Sequence, residues 1–337
     1  MRNLEGYLDA LFEAKTVENI MVKVGRGDEI LYRAARSAED RALTDETLFD
    51  MASVTKIVAT TSLALIAMDR GLLSPEDPVG KFFSVPQDKA EMTVRHLLTH
   101  TMGIGHKSLL EATPACVEAY ILQIPSDIPI GTDVRYSCPG FILLGRILEK
   151  IFGTRLDQAF CEQIATPLGM RSSGFLPDRT RDIVNANPRE DERGLVNDYN
   201  CRFLGGVCGN AGLFSNLEDM THFAKMLLSR GAPLISEATF MKATQNQTVG
   251  MSESRGLGYL YVDARYRQTG GLFPAGSIGH CGHTGQSVFV DPESGLYVIV
   301  LSDATANVVK QYGSGHYGKV MSMRHDLHAA ILADLNA

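Results

Sequence analysis

The sequence lacks the features that mark several classes of protein. Its six cysteines form no Cys-x-x-Cys pair and have no histidines at metal-ligand spacing, which disfavours both a zinc site and a disulfide framework. It has no cluster of lysines and arginines, and its net charge of −7 argues against a nucleic-acid surface. The uncharged run Ile57 to Met68 is too short to cross a bilayer. We therefore expect no nucleic-acid partner and no membrane span.

The first fourteen residues lack the uninterrupted apolar core of a signal peptide. Leu4, Leu8 and Leu11 are interspersed there with acidic residues, in the pattern of an amphipathic helix. This start favours a cytoplasmic protein, or a periplasmic one if a leader has been removed. With 45% hydrophobic and 21% charged residues the chain can bury a large core, and its 337 residues allow two lobes.

What the sequence does contain is a serine and a lysine three residues apart, Ser53 and Lys56, at the start of an apolar segment that ends at Gly71. Residues three apart share one face of a helix, so the hydroxyl and the amine can form a nucleophile and a proton acceptor. Burial and the positive end of the helix dipole both disfavour an ammonium, which predicts a lowered pKa for Lys56. The alternative is a helix cap with a solvated lysine.

A second element, Tyr136-Ser137-Cys138, precedes Pro139 and an apolar run to Phe152. Proline suits the first position of a helix and pushes the residue before it, here Cys138, into an extended conformation, which predicts a loop leading into a helix that begins at Pro139. A phenol at Tyr136 close to a lysine ammonium would have a lowered pKa and could exchange protons with a serine hydroxyl. The alternative is a tyrosine packed under the loop with its hydroxyl bonded to backbone.

The third element runs from Gly282 to Gln286, with His283, Thr284 and Gly285 between them, and leads into the strand predicted at residues 287–290. Small residues at Thr284 and Gly285 on an outer strand would let a substrate backbone lie alongside. The backbone N–H of Gln286 could then donate to an oxyanion. Alone, the tripeptide His-Thr-Gly is a common turn.

In this order and with these separations, the three elements resemble the serine β-lactamase and penicillin-binding-protein superfamily. The resemblance is to its class C-like branch of β-lactamases, D,D-carboxypeptidases, D-amino-acid peptidases and esterases. Connecting stretches are similar as well, namely Thr93 to Gly103, Leu204 to Val207 and Asn210 to Ser215. The likeness runs from about Glu18 to about Asp303, nearly the whole chain.

The resemblance implies a role for each element. Ser53 is the nucleophile, Lys56 and Tyr136 are the proton-transfer pair, and His283 takes the family's Lys/His position on the edge strand. The backbone N–H groups of Ser53 and Gln286 form the oxyanion hole. No metal or organic cofactor is implied.

Two departures from the family's pattern bear on the substrate-binding residues. Cys138 stands where the family usually offers an asparagine amide, and a thiol is a poor hydrogen-bond partner. It is open whether this thiol is a buried small hydrophobe or redox-sensitive. His283, with Thr284 and Gly285, replaces the Lys-Thr-Gly of the β-lactamases, and a neutral imidazole holds a substrate carboxylate less firmly than an ammonium.

These departures favour a serine hydrolase that works through a covalent acyl-enzyme on small esters or D-amino-acid amides. One alternative is a D,D-carboxypeptidase or β-lactamase, which would bind penicillin. Another is a non-catalytic sensor of β-lactams or peptidoglycan fragments. The expected partner is therefore a small-molecule substrate, and the oligomeric state is open.

The order of elements along the chain is strands, then helices, then strands. Residues 19–25 with 29–34 predict a first β-hairpin, and residues 287–290 with 296–301 predict a last one. The family fold joins such hairpins in one antiparallel sheet, flanked by the N- and C-terminal helices, with a mostly helical lobe inserted. The expected fold class is therefore α+β, with a sandwich-like arrangement of sheet and helices.

We place the sheet lobe at residues 1–80 plus 270–337 and the helical lobe at 81–269, with the active cleft between them. The segment Pro177 to Asn200, rich in charge, asparagine and proline, is predicted to be a long surface loop at the rim of the cleft. Asp198 and Asn200 could contact substrate there or form turns. The glycine-rich stretch Tyr312 to Gly318 has no P-loop lysine and is predicted to be a loop.

Overall fold

The computed structural model describes residues 1–38, 41–266, 268–306, 308 and 316–337. The strands of these residues are β1 (Asn19–Arg26), β2 (Glu29–Ser37), β3 (Phe49–Asp50), β4 (Gly174–Phe175), β5 (Leu213–Ser215), β6 (Leu260–Tyr261), β7 (Ile278–Cys281), β8 (Ser287–Asp291) and β9 (Leu296–Ser302). The α-helices include α1 (Arg2–Glu13), α2 (Ser62–Asp69), α3 (Val94–Leu98), α4 (Val117–Gln123), α5 (Cys138–Phe152), α6 (Leu156–Phe160), α7 (Thr166–Leu168), α8 (Tyr199–Phe203), α9 (Leu217–Leu228), α10 (Glu237–Thr244) and α11 (His316–Leu335).

Six strands form one antiparallel sheet in the order β2-β1-β9-β8-β7-β6. The N-terminal hairpin of β1 and β2 joins the C-terminal hairpin of β8 and β9 because β1 pairs with β9 along its length. Both hairpins predicted from alternating apolar residues are confirmed. The predicted α+β class with an antiparallel sheet is confirmed as well.

Different helices cover the two faces of this sheet. Successive side chains of a strand point to opposite faces. On β9, Val298 and Val300 pack with α1 and α11, whereas Ile299 and Leu301 pack in the larger core that contains α2 and α5. The predicted flanking of the sheet by the first and last helices is therefore confirmed, and the larger core lies on the other face.

The chain leading into α2 is buried. It passes through a 3-10 turn, Ala52–Val54, and a π-helical turn, Lys56–Thr61, before α2 begins. π-Helical turns are rare and are often found at functional sites. The whole segment Ala52–Asp69 has the length and mean hydropathy of a membrane span, but 83% of it is buried inside the protein, as expected of a core helix. This segment is longer than the uncharged run Ile57 to Met68 because it includes the two turns before α2.

A second, smaller sheet has the order β3-β5-β4. Its strands are two or three residues long, too short to show alternation, and the sequence did not reveal them. Asp50 pairs with Phe214 in this sheet. The small sheet therefore fixes the backbone three residues before Ser53.

The proposed division into lobes at residues 80 and 270 stays a prediction. Helices α3 to α10 lie between residues 81 and 269, and β6, from the end of that range, joins the edge of the six-stranded sheet. Of the loop predicted at Tyr312 to Gly318, residues 312–315 lie outside the described residues, and the chain is helical from His316 onward.

Candidate active site

Ser53 lies in the 3-10 turn, and Lys56 begins the π-helical turn that follows. This arrangement brings the Lys56 amine within 3.0 Å of Ser53 Oγ, to which it donates a hydrogen bond. Ser53 is partly exposed, whereas Lys56 is fully buried. The lysine is therefore not a solvated residue beside a helix cap.

Tyr136 approaches the same serine from another part of the chain. Its Oη donates to Ser53 Oγ at 2.7 Å. The ring lies over the Lys56 amine, with Nζ 5.0 Å from the ring centroid. The phenol is thus not bonded only to backbone under a loop, and the three residues predicted to act together are brought together.

The residues after Tyr136 explain its position. Ser137 is extended and caps α5, since its Oγ accepts the N–H of Gly140 at 3.1 Å. Cys138 is the first helical residue, so the prediction that it is extended was wrong by one residue. Because Tyr136 precedes the cap, its side chain projects from the end of a rigid helix.

His100 supports the Tyr136 ring. The two ring centroids are 4.5 Å apart, and His100 Nδ1 accepts the Ser137 N–H at 3.0 Å. The backbone φ of His100 is +59°, a value that is rare for a residue with a side chain and is found at functional sites. Burial, together with the charges of Arg255 and Lys56, holds the pKa of His100 well below its usual range. The imidazole is therefore a neutral support.

The Lys56 amine makes three hydrogen bonds, and an ammonium has three N–H donors. Besides Ser53 Oγ it donates to the carbonyl of Asn210 at 2.9 Å and to Cys138 Sγ at 3.6 Å. Burial lowers the pKa of Lys56, but the negative charges of ionised Cys138 and Tyr136 outweigh it, and the pKa is raised. The prediction of a lowered pKa was wrong because the sequence did not show which acidic groups surround the amine.

The pKa of Tyr136 also differs from the prediction. Burial raises it, and the charge of Lys56, which acts in the opposite sense, does not reverse that shift. The prediction considered the ammonium but not the apolar surroundings of the phenol. Near neutral pH, Tyr136 is therefore a phenol and Lys56 an ammonium.

Cys138 is buried and also lines the cavity described below. Burial raises the pKa of its thiol, but the charge of Lys56 and a hydrogen bond with His106 outweigh that effect, and the pKa is lowered. The same hydrogen bond raises the pKa of His106. Cys138 is therefore an ionisable neighbour of the lysine as well as a buried side chain.

Asp50 holds the turn that carries Ser53. Its two carboxylate oxygens accept the backbone N–H of Ala52 at 2.8 Å and of Asn197 at 2.6 Å. Ala52 has a φ of +44°, which is strained for a residue with a Cβ. Burial raises the pKa of Asp50 to about 6. Nothing in the sequence marked this aspartate, since its partners lie two and 147 residues away.

A cavity of about 790 Å³ opens at Ser53. The cavity is lined by Ala52, Ser53, His106, Ser108, Leu110, Tyr136, Cys138, Asn197, Asp198, Tyr199, Asn200, Ala211, Glu253, Arg255, Leu260, Gln268, His280, Cys281, Gly282, His283, Met321 and Arg324. Its size is that of a site for a small molecule. Ser53, Tyr136 and Cys138 therefore line one cavity, and its placement between two lobes stays a prediction.

The end of the loop predicted at Pro177 to Asn200 lines this cavity with residues 197–200. The side chain of Asp198 caps α8 by accepting the N–H of Cys201 at 2.8 Å. That of Asn200 accepts the N–H of Leu109 and donates to the carbonyl of Lys107. Asp198 therefore forms a turn at the start of α8, as one alternative held. Asn200 lies within α8, and its side chain joins this helix to residues 107–109. Both residues border the cavity.

The segment His283 to Gln286 is not part of a strand. It forms the turn between β7 and β8, so the prediction of an outer strand was wrong. Thr284, Gly285 and Gln286 are buried and do not line the cavity, whereas His283 is exposed and does. Thr284 Oγ1 donates to the carbonyl of Asp50 at 3.2 Å, so the turn packs against the strand before Ser53.

Gln286 faces away from the cavity. Its side-chain amide donates to the carbonyl of Ser302 at 2.8 Å on β9. The end of β7 is closer to the nucleophile, because a Cβ on Gly282 would lie 2.9 Å from the carbonyl of Met51. The backbone beside Ser53 is therefore that of Gly282 and His283.

His280 is a cavity residue that sequence reasoning missed. It lies on β7 with its ring centroid 6.3 Å from that of Tyr136, and its Nδ1 is 2.8 Å from the Cys281 carbonyl. Burial, reinforced by the charge of Arg255, holds its pKa well below the usual range. The signal was present in the sequence, where Gly279-His280-Cys281-Gly282 has the same His-x-Gly spacing three residues before His283.

A serine that accepts hydrogen bonds from a buried lysine and a tyrosine, at the base of a small-molecule cavity, defines a serine hydrolase site. The Beta-lactamase family model matches residues 5–313. The chain belongs to this family and is a serine hydrolase of the β-lactamase-related kind.

Similar proteins include hydrolases named for different activities. Esterase EstB of Burkholderia gladioli is 29% identical over 89% of this chain and 91% of that protein. A putative D-alanyl-D-alanine carboxypeptidase of Escherichia coli strain K12 is 27% identical over 82% of this chain and 76% of that protein. The names therefore agree on hydrolysis and not on substrate.

Solved structures show the same fold. The octameric penicillin-binding protein homologue from Pyrococcus abyssi has a TM-score of 0.74 at 23% identity, covering 93% of this chain and 76% of that one. EstCE1, described as a hydrolase with promiscuous acyltransferase activity, has a TM-score of 0.74 at 21% identity, covering 97% and 98%.

Proposed function

We propose that this protein hydrolyses small esters or D-amino-acid amides through a covalent acyl-enzyme on Ser53. The observation that carries the proposal is the position of Ser53 Oγ, 3.0 Å from Lys56 Nζ and 2.7 Å from Tyr136 Oη, in a cavity that a small substrate can enter. A serine hydroxyl needs an adjacent base to become a nucleophile at neutral pH, and these are the two groups in reach.

The reaction has two acyl transfers. Ser53 Oγ forms a bond to the substrate carbonyl carbon while its proton passes to the Lys56/Tyr136 pair. The bond to the leaving group then breaks, and that group takes the proton. In the second transfer a water molecule gives a proton to the same pair and attacks the acyl carbon. The bond to Ser53 Oγ then breaks, Oγ takes the proton back from the pair, and the acid is released. Because the pKa of each member of the pair is raised, the proton-accepting form is the minor one near neutral pH.

The developing oxyanion needs two N–H donors beside Ser53. The backbone N–H of Ser53 is the first, as the sequence predicted. We assign the second to the backbone N–H of His283 in place of Gln286, because His283 lines the cavity and follows Gly282, whose Cα approaches Met51. The N–H of Gly282 itself donates to the Gln286 carbonyl at 2.8 Å. His280 and His283 then lie on the substrate side of this wall, and His283 keeps its predicted place in substrate binding.

The test is turnover of a short-chain para-nitrophenyl ester by wild type and Ser53→Ala, with intact-mass spectrometry of each reaction. We expect an acyl adduct and product release with wild type and neither with Ser53→Ala. Ser84→Ala is the matched control, because Ser84 is an exposed serine outside the cavity. Equal turnover by wild type and Ser53→Ala would contradict the mechanism.

A fluorescent penicillin distinguishes the alternatives. A stable adduct on Ser53 with no ester turnover would favour a penicillin-binding sensor. Rapid release of the penicilloyl group would favour a β-lactamase. The carboxypeptidase alternative is supported by the name of the Escherichia coli relative. Hydrolysis of a D-alanyl-D-alanine peptide, assayed in parallel, tests this alternative.

A further inference from the structure

Two buried cysteines that the mechanism does not use lie at the ends of one chain reversal. Cys201 is in α8, and Cys208 follows it after Gly205 and Gly206, whose φ values of +91° and +85° turn the chain back. The N–H of Gly206 donates to the carbonyl of Cys201 at 2.8 Å. Both cysteines belong to one small buried cluster, and their thiols share a hydrogen bond. The fold therefore brings the two sulfur atoms together.

The surroundings of the two thiols differ. Cys201 is fully buried, and burial, reinforced by the hydrogen bond with Cys208, holds the pKa of its thiol well above the usual range. Cys208 is 4% exposed and lines a recess of about 10 Å³ beside α5, together with the partly exposed Arg146 and Glu149. Such a recess is about the size of one water molecule. A small oxidant from solvent therefore reaches Cys208 before Cys201.

The segment that follows Cys208 is held by hydrogen bonds that its backbone carbonyls accept. The carbonyl of Asn210 accepts a hydrogen bond from Lys56 Nζ at 2.9 Å. The carbonyl of Ala211, a residue that lines the cavity, accepts one from Cys201 Sγ at 3.2 Å. The Cys201 thiol therefore helps to hold the segment that positions the proposed base.

A disulfide would change this arrangement. Its two sulfur atoms lie about 2.05 Å apart, closer than the atoms of a hydrogen bond, so Cys201 and Cys208 must approach each other. Helix α8 is held in place by Asn200, whose side chain bonds to residues 107–109. The segment after Cys208 loses its bond from the Cys201 thiol. It therefore moves toward α8 and takes the Asn210 carbonyl with it.

We propose that Cys201 and Cys208 form a reversible disulfide when a hydroperoxide oxidises them. This bond displaces the Asn210 carbonyl from Lys56 and so lowers the activity of Ser53. A misplacement of about 1 Å can cost on the order of 10²-fold in rate. The inference rests on the proposed function for this consequence, since it adds a form of regulation to that site.

The oxidation has two steps. The sulfur of Cys208 attacks one oxygen of the hydroperoxide, so that an S–O bond forms and the O–O bond breaks. The hydroperoxide is reduced to an alcohol or to water, and Cys208 becomes a sulfenic acid. The sulfur of Cys201 then attacks that of Cys208, so that the S–S bond forms and the S–O bond breaks. The hydroxyl group leaves as water with the proton of the Cys201 thiol, and an added dithiol reverses the result.

Peroxide treatment of the wild-type protein tests the inference by peptide mapping and by turnover of the para-nitrophenyl ester. Trypsin cleaves after Arg202, so Cys201 and Cys208 fall in separate peptides, 194–202 and 203–225. With the remaining thiols blocked by N-ethylmaleimide, we expect these two peptides to be joined. We expect kcat/KM to fall by roughly tenfold or more in the joined fraction and to return with dithiothreitol. Full activity in the joined form would overturn the inference.

Cys138 needs its own control, because its thiol lies in the cavity and is itself open to oxidation. Each variant is compared with its own untreated sample. Cys138→Ala should still form the disulfide and still lose activity with peroxide, whereas Cys138→Ala/Cys208→Ala should do neither. Cys138→Ala/Cys161→Ala is the matched control and should behave like Cys138→Ala, since Cys161 is an exposed free cysteine.

Two results with these variants would overturn the inference. One is resistance to peroxide in Cys138→Ala, which would assign the loss of activity to the cavity thiol. The other is an equal loss of activity in Cys138→Ala/Cys208→Ala. If that double variant does not fold, the peptide map and the activity of the wild-type protein and of Cys138→Ala still decide.

The peptide map needs no turnover, so this inference and the proposed function can fail separately. Ser53-dependent turnover with no joined peptides after peroxide treatment would leave the hydrolase standing and overturn the inference. Joined peptides in a protein with no Ser53-dependent turnover would support the disulfide and contradict the proposed function.

Discussion

Cys138 Sγ lies 3.6 Å from Lys56 Nζ, so the residue that replaces the family's asparagine contacts the proposed base directly. An amide at that position would be neutral, whereas a thiol can ionise. Its lowered pKa and the raised pKa of Lys56 have the same cause, the attraction between thiolate and ammonium. The substitution therefore affects the acid–base chemistry of the site as well as the substrate contacts.

Replacing Cys138 with alanine should shift the pH dependence of kcat/KM for a neutral ester. Activity needs the proton-accepting form of the Lys56/Tyr136 pair, so it should rise with pH. Removing the thiolate removes a negative charge that stabilises the Lys56 ammonium. The pKa of Lys56 then falls, and the rising limb of the profile should move to lower pH. Stopped assays across the neutral and alkaline range measure this shift.

Cys161→Ala is the control for this prediction, since Cys161 is an exposed free cysteine. Its profile should coincide with that of wild type. If the rising limb of the kcat/KM profile stayed in place in Cys138→Ala, or moved to higher pH, the thiol would not control the protonation of Lys56.

Replacing Tyr136 with phenylalanine removes the hydrogen bond to Ser53 Oγ and leaves the ring on His100. Proton transfer by a positioned side chain contributes about 10²–10⁴-fold to rate, and we expect kcat to fall by that order. Tyr120→Phe, a change in a partly buried tyrosine packed against the core, should leave kcat as it is. A Tyr136→Phe variant with near wild-type kcat would assign the whole proton transfer to Lys56.

The roles of Ser53, Lys56 and Tyr136 stay predictions from the resemblance to the family, whereas the local structure that carries each residue could be predicted from its neighbours in the sequence. The serine and lysine share one helical segment, and the tyrosine precedes the helix cap that Ser137 and Pro139 announce. The hairpins of the sheet could be predicted for the same reason, since their pairing follows from alternation along neighbouring segments.

The charges around these residues could not be predicted in the same way. The pKa of Lys56 depends on Cys138, which is 82 residues away, and the turn at Ser53 depends on Asn197 through Asp50. His280 was overlooked because β7 has only four residues and includes Gly279, so no alternating pattern marked it. Tertiary contacts decided the pKa of Lys56 and the turn at Ser53, and local sequence carried little information on them. His280 did have a local signal, the His-x-Gly spacing that it shares with His283.

Replacing Asp50 with alanine should impair catalysis more than folding. The N–H groups of Ala52 and Asn197 would lose their acceptor, and leaving a buried N–H unpaired costs about 1–3 kcal/mol. The strained turn at Ala52 would relax and move Ser53 away from Lys56, so we expect kcat/KM to fall by roughly tenfold or more. Steady-state kinetics and urea unfolding of the same samples separate the two effects.

Asp28→Ala is the control for Asp50→Ala, because Asp28 is 97% exposed and pairs with Lys225 at the surface. Its kinetics and stability should match wild type. If Asp50→Ala lost stability with unchanged kcat/KM in the folded fraction, Asp50 would be structural alone.

Gly209 should tolerate no side chain. A Cβ there would lie 2.0 Å from the carbonyl of Phe141 and 3.0 Å from the N of Gly145, both in α5. The carbonyl of Gly209 accepts a hydrogen bond from Thr60 Oγ1 at 2.7 Å. The next carbonyl, that of Asn210, accepts a hydrogen bond from the Lys56 amine. Gly209→Ala must therefore displace the chain that positions the base, and we expect loss of activity with a fall in unfolding free energy of about 1–3 kcal/mol.

Gly80→Ala is the matched control, because its Cβ would meet only Val85, at 3.8 Å. Wild-type activity in Gly209→Ala would show that the Asn210 carbonyl is not needed to hold Lys56.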